Sequence, residues 1–369
     1  MKVPFGTLNV NDKPLLDKIV ASNWLTQGET VALLEKEFAS VFKSKFAIAC
    51  STGTDALAIC CASIGRGRFN GGEIICPALT FVATANAILQ AGFIPRFVDI
   101  DRKTLGIDVS KIEDVINGTT VAIIPVHLMG KPCNMDEIVR ISNKHHLTII
   151  EDCCEAHGAT YNGGLVGNIG EMGCFSLYAS HIVSSVEGGM IITDDHVIDA
   201  KCRSLRNHGM IGKFRFNDIG FSAKMNELEA AVGVGNIRNF ESILEHRKRN
   251  WNYLTSQMQR FKSHFILMEE APYEKIGPHA FSLLLRDKSP ISKQSLCEAL
   301  RIAEIDFRDL FYSIPTQTPG YYFLGYKLGD FLEAEYCSDY GVHIGIHQDL
   351  KISQLDYVIE VINDLIKRN

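Results

Sequence analysis

The chain lacks the long hydrophobic runs of a membrane protein. None of its apolar stretches approaches the roughly 20 residues that a helix needs to cross a bilayer. Its first six residues contain no apolar segment of the kind found in secretory leaders. We therefore expect no membrane association and a cytoplasmic location.

The chain also lacks an excess of positive charge. Its 37 lysines and arginines are outnumbered by 43 aspartates and glutamates, and the formal net charge is −6. Nucleic acids and anionic membranes attract basic surfaces. This balance therefore predicts no nucleic-acid partner.

Disulfide bonds are not expected either. The chain has 11 cysteines, an odd number, and several lie inside apolar runs, among them Cys50 and Cys76. In such runs a cysteine usually behaves as a small buried hydrophobe. We therefore expect free thiols in a reducing compartment.

Several apolar runs rich in Ile and Val have the length of strands, and helical stretches lie between them. The predicted strands are Phe46–Cys50, Glu73–Cys76, Ile94–Asp99, Val121–Val126, Leu147–Asp152, Gly173–Leu177 and Gly189–Thr193. The helices predicted between them are Thr54–Ile64, Phe81–Ala91, Ser110–Val115 and Asp136–His146. This alternation predicts an α/β fold with a mostly parallel sheet covered on both faces. In such a sheet, ligands bind beyond the carboxyl ends of the strands.

The pattern changes near Phe240. A long helical stretch, Asn226–Gln259, leads into a mixed segment, and Gln354–Lys367 has the pattern of a closing amphipathic helix. A chain of 369 residues suits two unequal domains. We predict a large α/β domain over residues 1–240 and a smaller C-terminal α+β domain over residues 241–369.

Polar or aromatic residues follow several predicted strands. Ser51–Thr54 begins a helix, where it forms either a simple cap or a phosphate site. Asp152 ends a buried strand and must there be solvated, paired or functional. Phe81 is either a core aromatic or a ring on which a ligand stacks. His181, within Cys174–Gly189, is either a structural histidine or a proton carrier.

Taken together, these segments resemble the DegT/DnrJ/EryC1/StrS family of nucleotide-sugar aminotransferases. The resemblance runs from about Ser22 to Gly233. Its further blocks are Gly92–Asp101, Pro125–Gly130, Glu151–Ala159, Arg206–Gly209 and Met225–Gly233. It implies the pyridoxal-enzyme fold of type I, with pyridoxal 5'-phosphate or pyridoxamine 5'-phosphate as cofactor. It also implies a homodimer with shared active sites.

The resemblance assigns cofactor contacts position by position. Gly53, Thr54 and Ser176 are expected to hold the cofactor phosphate. Phe81 is expected to stack on the ring. Asp152 is expected to pair with the ring nitrogen and keep it protonated, so that the ring accepts electrons.

Two further positions depart from the family pattern. Glu155 stands where aminotransferases usually have Gln, and it is expected near the ring hydroxyl. Ser222 and Lys224 stand where the family often has Asn and Arg, and that Asn reaches the phosphate of the neighbouring subunit. Ser222 is therefore our candidate for this phosphate contact, although the replacement weakens the expectation of a contact across the dimer.

His181 stands where most of the family has the lysine that holds the cofactor as a Schiff base. An imidazole cannot form that bond, but with an ordinary pKa of about 6.5 it can accept and return a proton. The same replacement occurs in sugar 3-dehydratases that act on nucleotide-linked 4-keto-6-deoxyhexoses. The resemblance thus implies a dehydratase with His181 as catalytic base, which removes the C3 hydroxyl, and glutamate as the donor that restores the pyridoxamine form.

One branch of these dehydratases carries an iron–sulfur cluster on three clustered cysteines. After Cys202 this chain has only Cys297 and Cys337, which are too sparse for such a cluster. We expect the cluster-free type and no metal.

Other functions stay open. One is a sugar aminotransferase that tolerates His181, or one whose lysine has been replaced by engineering. Another is a non-catalytic relative that binds a nucleotide sugar or a protein, although the retained cofactor residues, such as Asp152 and Ser176, argue against it.

Five further histidines carry less information. We interpret His127 and His208 as structural, and His157 as a candidate for a place behind the cofactor. His343 and His347 lie in a segment predicted to be extended, and either borders the substrate pocket or lies at the surface.

Overall fold

The computed structural model describes residues 1–368 of the chain. Its α-helices, in chain order, are α1 (Lys13–Ser22), α2 (Glu29–Phe42), α3 (Gly53–Ile64), α4 (Ala83–Gln90), α5 (Ile112–Val115), α6 (Met135–His145), α7 (His196–Arg206), α8 (Glu227–Arg238), α9 (Phe240–Met258), α10 (Lys293–Ile302), α11 (Ile314–Gln317), α12 (Leu332–Tyr340) and α13 (Ile352–Arg368). Short 3-10 helices lie at Val109–Lys111, Leu128–Gly130, Gln259–Phe261 and Pro319–Leu324.

The strands fall into one large sheet and three smaller ones. In chain order they are β1 (Phe46–Cys50), β2 (Glu73–Pro77), β3 (Ile94–Val98), β4 (Thr120–Ile123), β5 (Thr148–Asp152), β6 (Thr160–Tyr161), β7 (Gly164–Leu165), β8 (Met172–Ser176), β9 (Gly189–Thr193), β10 (Met210–Gly212), β11 (Arg215–Phe216), β12 (Phe265–Ile266), β13 (Glu274–Lys275), β14 (Ala280–Leu285), β15 (Phe307–Asp309) and β16 (Gly341–Gly345).

The central sheet has seven strands in the order β1-β9-β8-β5-β4-β2-β3. Neighbours from β8 to β3 pair in parallel, whereas β9 pairs antiparallel with both β1 and β8. These are the seven strands that the sequence predicted, with ends shifted by a few residues at most. The predicted mostly parallel sheet is therefore confirmed.

Alternate residues of each strand face opposite sides of the sheet, and both sides are covered by helices. On β1, Ile48 packs into the core that contains α3 and α4, whereas Ala47 and Ala49 pack into the core that contains α2, α6 and α8. This two-sided burial explains why the strands are almost continuously apolar.

The C-terminal part forms a second, antiparallel sheet in the order β12-β14-β16-β15. The stretch predicted as one helix from Asn226 is two helices, α8 and α9. Asn239 leaves the helical conformation (φ −100°, ψ 7°) and donates through its side chain to Gly235 O at 2.7 Å. One hydrophobic core runs from Ile74 in the central sheet to Leu355 in α13. The division at residues 240/241 therefore stays a prediction.

Two expectations from composition can be compared with the described chain. Among residues 1–368, none of the helices combines the length and the apolar composition that crossing a bilayer requires. All eleven cysteines are unpaired, and most of them are buried.

The N-terminus of α2 is held by a side chain from α8. Glu227 is 3% exposed, and its carboxylate accepts hydrogen bonds from the backbone amides of Gly28, Thr30 and Val31, each at 2.9 Å. These amides have no acceptor within their own helix, and a negative charge is favourable at this end. Glu227 therefore joins the two helices and supplies acceptors for the free amides at the start of α2.

We expect the Glu227→Ala variant to lose about 2–4 kcal/mol of unfolding free energy, because three backbone amides, two of them buried, lose their acceptor. Urea unfolding followed by circular dichroism measures this. Glu29→Ala, an exposed change in the same helical turn, is the matched control and should stay within about 0.5 kcal/mol of the wild type. Equal losses in the two variants would contradict the assigned contact.

Candidate active site

A cavity of about 700 Å³ opens at the carboxyl ends of β1, β2, β5 and β8. Parallel strands bring these ends to the same edge of the sheet. The lining includes seven of the residues singled out from the sequence: Gly53, Thr54, Phe81, Asp152, Glu155, Ser176 and His181. Their convergence shows that separate chain segments build one site.

The first wall of the cavity is the N-terminus of α3. Thr52 caps the helix through Oγ1, which accepts from the Asp55 amide at 3.0 Å. The amides of Gly53 and Thr54 precede this capped position and have no acceptor within the helix. A Cβ on Gly53 would lie 2.8 Å from the Ser176 Cβ, so glycine is needed for β8 to approach. The segment is thus a helix cap and, beside it, a cradle suited to an anion.

The floor is formed by Asp152 at the end of β5. Its side chain is almost fully buried; Oδ2 accepts from Thr84 Oγ1 at 2.9 Å and Oδ1 from the Cys154 amide at 3.2 Å. Burial raises the pKa of Asp152, while the hydrogen bonds from Cys154 and Thr84 oppose that rise. A buried carboxylate of this kind gains from a cationic ligand atom.

Glu151, the preceding residue of β5, points to the other side of the sheet. It is fully buried, and its carboxylate accepts from the amides of Gly167, Ile169 and Gly170 at 2.7–2.8 Å. His127 Nε2 lies 3.1 Å from it. Glu151 is therefore satisfied as a structural residue.

His127 is buried next to Glu151 and has partners at both ring nitrogens. Nδ1 accepts from the Cys133 amide at 3.0 Å, so Nε2 carries the proton toward Glu151. These hydrogen bonds at both ring nitrogens are consistent with a structural role for His127.

His181 lines the cavity between β8 and β9. Its Nδ1 lies 2.5 Å from the carbonyl oxygen of Cys154. A carbonyl only accepts, so Nδ1 carries the proton and Nε2 keeps its lone pair. Burial lowers the pKa of His181 to about 4, with further lowering from the charges of Arg247 and Arg308 against an opposing hydrogen bond to Cys154. The ring is neutral at pH 7, and the expected value near 6.5 is wrong because the surroundings disfavour the cation.

Glu155 and His279 lie beside this ring. The His279 ring packs against His181 with centroids 4.6 Å apart and planes tilted by 35°, and its Nε2 is 3.7 Å from Glu155 Oε1. Glu155 Oε2 accepts from the Met129 amide at 2.8 Å. Burial raises the pKa of Glu155 to about 7, reinforced by the charge of Asp152 and opposed by the hydrogen bond from Met129 and by Arg308. A carboxyl group with this pKa can donate as well as accept near neutral pH.

Phe81 presents a ring to the cavity. It is 57% exposed, and its nearest aromatic neighbour, Phe311, is 6.0 Å away between ring centroids. Large apolar side chains are usually covered, so the open face is suited to stacking against a flat ligand.

Several lining residues come from the C-terminal part and were not predicted. They are His279, Arg308, Asp309, Phe311 and Tyr312. His343, which the sequence left between pocket and surface, is 2% exposed and also lines the cavity, whereas His347 is buried outside it. No local motif marks Arg308 or His279, because they reach the cavity only through pairing within the second sheet.

Three further residues considered from the sequence, Ser222, His157 and His208, also lie outside the cavity wall. Ser222 is exposed and accepts from Lys224 Nζ at 3.1 Å, so its predicted phosphate contact stays a prediction that involves a second subunit. His157 is fully buried behind His181, with ring centroids 6.2 Å apart, and neither nitrogen has a hydrogen-bond partner among the described residues. His208 is exposed and also lies outside the lining.

Residues 7–363 match the DegT/DnrJ/EryC1/StrS aminotransferase family. The chain belongs to this family. The match covers most of the chain, including the C-terminal sheet, which the sequence resemblance reached only weakly. The family assignment and the pyridoxal-enzyme fold predicted from the sequence are therefore confirmed.

Relatives within this family carry out different reactions. The GDP-perosamine synthase of Caulobacter vibrioides is 31% identical over 97% of this chain and 96% of its own length. The GDP-4-keto-6-deoxy-D-mannose 3-dehydratase of Yersinia pseudotuberculosis is 31% identical over 94% of each chain. Overall identity therefore does not separate amination from dehydration.

Solved structures extend the similarity to the fold. A crystal structure of GDP-4-keto-6-deoxymannose-3-dehydratase with a trapped PLP–glutamate geminal diamine superposes with a TM-score of 0.88. The two chains are 27% identical, and the match covers 98% of this chain and 100% of the other.

The pKa of about 4 for His181 predicts that its ring stays neutral in the cofactor-free protein until the pH falls well below 6. Its ring-proton resonance in NMR should therefore titrate below the value of about 6.5 for an ordinary histidine. The His181→Asn variant removes this resonance and so assigns it. Because the unfolded chain binds this proton more readily, its contribution to stability is full above about pH 6.5 and is lost as the pH falls toward 4. A His181 midpoint at or above that of an ordinary histidine would contradict the assignment.

Proposed function

We propose that this family member is a 3-dehydratase that removes the C3 hydroxyl of a nucleotide-linked 4-keto-6-deoxyhexose, with glutamate as amino donor. The chain is an enzyme of the pyridoxal-phosphate sugar aminotransferase and dehydratase family, and its cofactor is pyridoxal or pyridoxamine 5'-phosphate. The observation that carries the proposal is the absence of lysine from the cavity lining, within the described residues, together with His181 in that lining.

The residues present fit this cofactor. The Gly53 and Thr54 amides with the Ser176 hydroxyl suit its phosphate, because the close approach of Gly53 to Ser176 leaves no room for a Cβ. Asp152 suits the protonated ring nitrogen, since a positive partner offsets the cost of its burial. Phe81 offers an open aromatic face to the ring.

When bound, the cofactor supplies a conjugated system that accepts the electrons of a carbanion. His181 holds its Nδ1 proton toward Cys154, and its Nε2 lone pair is the group that accepts a proton. The same nitrogen then returns that proton to the C3 hydroxyl, which leaves as water. Anionic ligands in the cavity raise the pKa of His181 from its low value, because they favour the charged ring.

Glu155 supports this chemistry through its protonation state. Burial raises the pKa of Glu155 to about 7, so its protonated form is accessible near neutral pH. The protonated form resembles the Gln of the aminotransferases in being able to donate a hydrogen bond toward the ring oxygen. Over the whole reaction the sugar loses its C3 oxygen, glutamate becomes 2-oxoglutarate, and ammonia is released.

A sugar aminotransferase is the second candidate. It is favoured by the 31% identity to a GDP-perosamine synthase, equal to the identity with a 3-dehydratase. Against it stands the chemistry of His181, which cannot displace a product by bonding to the cofactor. Without that displacement the sugar would stay longer in the cavity, and loss of the hydroxyl on its adjacent carbon could compete.

We expect the purified protein, given glutamate, cofactor and a panel of 4-keto-6-deoxy nucleotide sugars, to return a product without its C3 oxygen. Mass spectrometry distinguishes this from replacement of the keto oxygen by an amino group. His181→Asn should lower turnover by about 10²–10⁴-fold, because the general base is lost. A 4-amino sugar that keeps its C3 oxygen would refute the dehydratase and support the aminotransferase.

Borohydride reduction tests whether the cofactor is covalently linked to the protein. Borohydride should fail to fix the cofactor to the wild-type protein and should fix it in His181→Lys, in which a primary amine returns to the position. Covalent fixation in the wild type would show that another side chain holds the cofactor.

We further propose a homodimer. The exposed position of Ser222 leaves it free for the expected contact with the cofactor phosphate of a second subunit. Near the β10–β11 hairpin, Phe214 is 80% exposed and Ile219 is 70% exposed. Apolar side chains clustered in this way are typical of an interface.

Light scattering should therefore give twice the 41.0 kDa of the chain. The double change Phe214→Asp with Ile219→Asp should shift the protein toward monomer. Ile302→Asp, which alters an isolated side chain that is 75% exposed on α10, should not. A wild-type monomer would refute the dimer.

A further inference from the structure

One positive side chain among the described residues lines the cavity, and it is Arg308. It lies on β15, in the second sheet, and also borders a smaller adjoining cavity of about 220 Å³ beside Ser180. The other ionisable side chains of the lining include carboxyl groups and histidines. Burial lowers the pKa of these histidines, among them His181. Arg247 also lies near His181, where it donates to the Ser180 and His181 carbonyls, but among the described residues it is Arg308 that faces an anionic group entering the cavity.

Arg308 makes no hydrogen bond or ion pair with the described residues. Its guanidinium lies over the ring of Phe5, 3.9 Å from the ring centroid. The neighbouring carboxylate, Asp309, is engaged by Lys293 Nζ at 2.7 Å and by the Tyr312 hydroxyl at 3.0 Å. The stacked guanidinium is thus held in place while its hydrogen-bond donors stay free.

Arg308 acts on the same groups as the proposed chemistry. It pairs across the sheet with His343, which lines the cavity with an unpartnered, buried Nδ1. After burial, the charge of Arg308 is the next cause that lowers the pKa of His343, to about 3, and it contributes to the low pKa of His181. The cation therefore lies within electrostatic reach of the proton carrier.

We propose that Arg308 binds the α-carboxylate of the amino donor. In an α-amino acid, the carbon that gives up its proton to His181 also bears the carboxylate. A planar guanidinium with free donors matches a carboxylate through two parallel hydrogen bonds. The diphosphate of a nucleotide sugar is separated from the reacting carbon by the hexose ring, so it is less suited to a cation at this position. This inference rests on the proposed function in one respect, the choice of glutamate as the amino donor.

The half-reaction with glutamate tests the proposal. It converts pyridoxal phosphate and glutamate into pyridoxamine phosphate and 2-oxoglutarate, and absorbance follows it without any sugar. Arg308→Gln should raise the KM for glutamate by about 10-fold or more, because a charged hydrogen-bonding partner is lost. Arg308→Lys keeps the charge but not the two parallel hydrogen bonds. Its KM for glutamate should lie between that of the wild type and that of Arg308→Gln.

A binding measurement supplies a second readout. Glutarate, an unreactive dicarboxylate, should bind the cofactor-loaded protein with a dissociation constant that rises by a similar factor in Arg308→Gln. Calorimetry measures this without turnover. Arg301→Gln, an exposed arginine paired with Glu298 on α10, is the matched control and should change neither constant.

The sugar half-reaction, started from added pyridoxamine phosphate, shows whether Arg308 binds the carboxylate of the donor or the diphosphate of the nucleotide sugar. Its KM for the nucleotide sugar should be unchanged in Arg308→Gln. A rise in the sugar KM with an unchanged glutamate KM would assign Arg308 to the diphosphate and overturn the proposal. Equal effects on both ligands, or no effect on either, would also overturn it. The identity of the sugar product does not enter this test, so the dehydratase assignment can fail while the carboxylate site stands.

Discussion

The backbone of Cys154 is the constraint on which the site depends. Its amide donates to Asp152 at 3.2 Å, and its carbonyl accepts from His181 Nδ1 at 2.5 Å. Cys154, the second residue after the end of β5, therefore orients both the buried acid Asp152 and the imidazole of His181. The thiol of Cys154 also lines the cavity and, through a hydrogen bond, helps to hold down the pKa of Asp152.

The central sheet explains how such a loop is kept in place. Neighbouring residues of β5 face opposite sides, so Glu151 serves the structure and Asp152 serves the cavity. Three amides and His127 hold Glu151, which fixes the end of the strand from behind. The ligand side of the sheet can then carry an acid whose burial is costly until a partner arrives.

Local sequence predicted the central sheet and seven lining residues well. Strands such as β1 and β9 are continuous apolar runs, and site residues such as Gly53 and Asp152 follow strand ends within short motifs. The C-terminal contribution was missed, because Arg308 reaches the cavity through pairing of distant strands. The break at Asn239 and the low pKa of His181 also depend on tertiary contacts and burial, which a local pattern does not contain. The chemical roles assigned to the lining residues stay predictions.

The fixed proton on His181 Nδ1 has a stereochemical consequence. Because that nitrogen is committed to a backbone carbonyl, hydrogen can be exchanged with a ligand only at Nε2. In the proposed reaction, a single atom on one wall of the cavity would therefore deliver and collect each proton. Each such transfer would occur on the same face of a flat ligand, so the fold rather than the reagent would set the handedness of the new carbon–hydrogen bond.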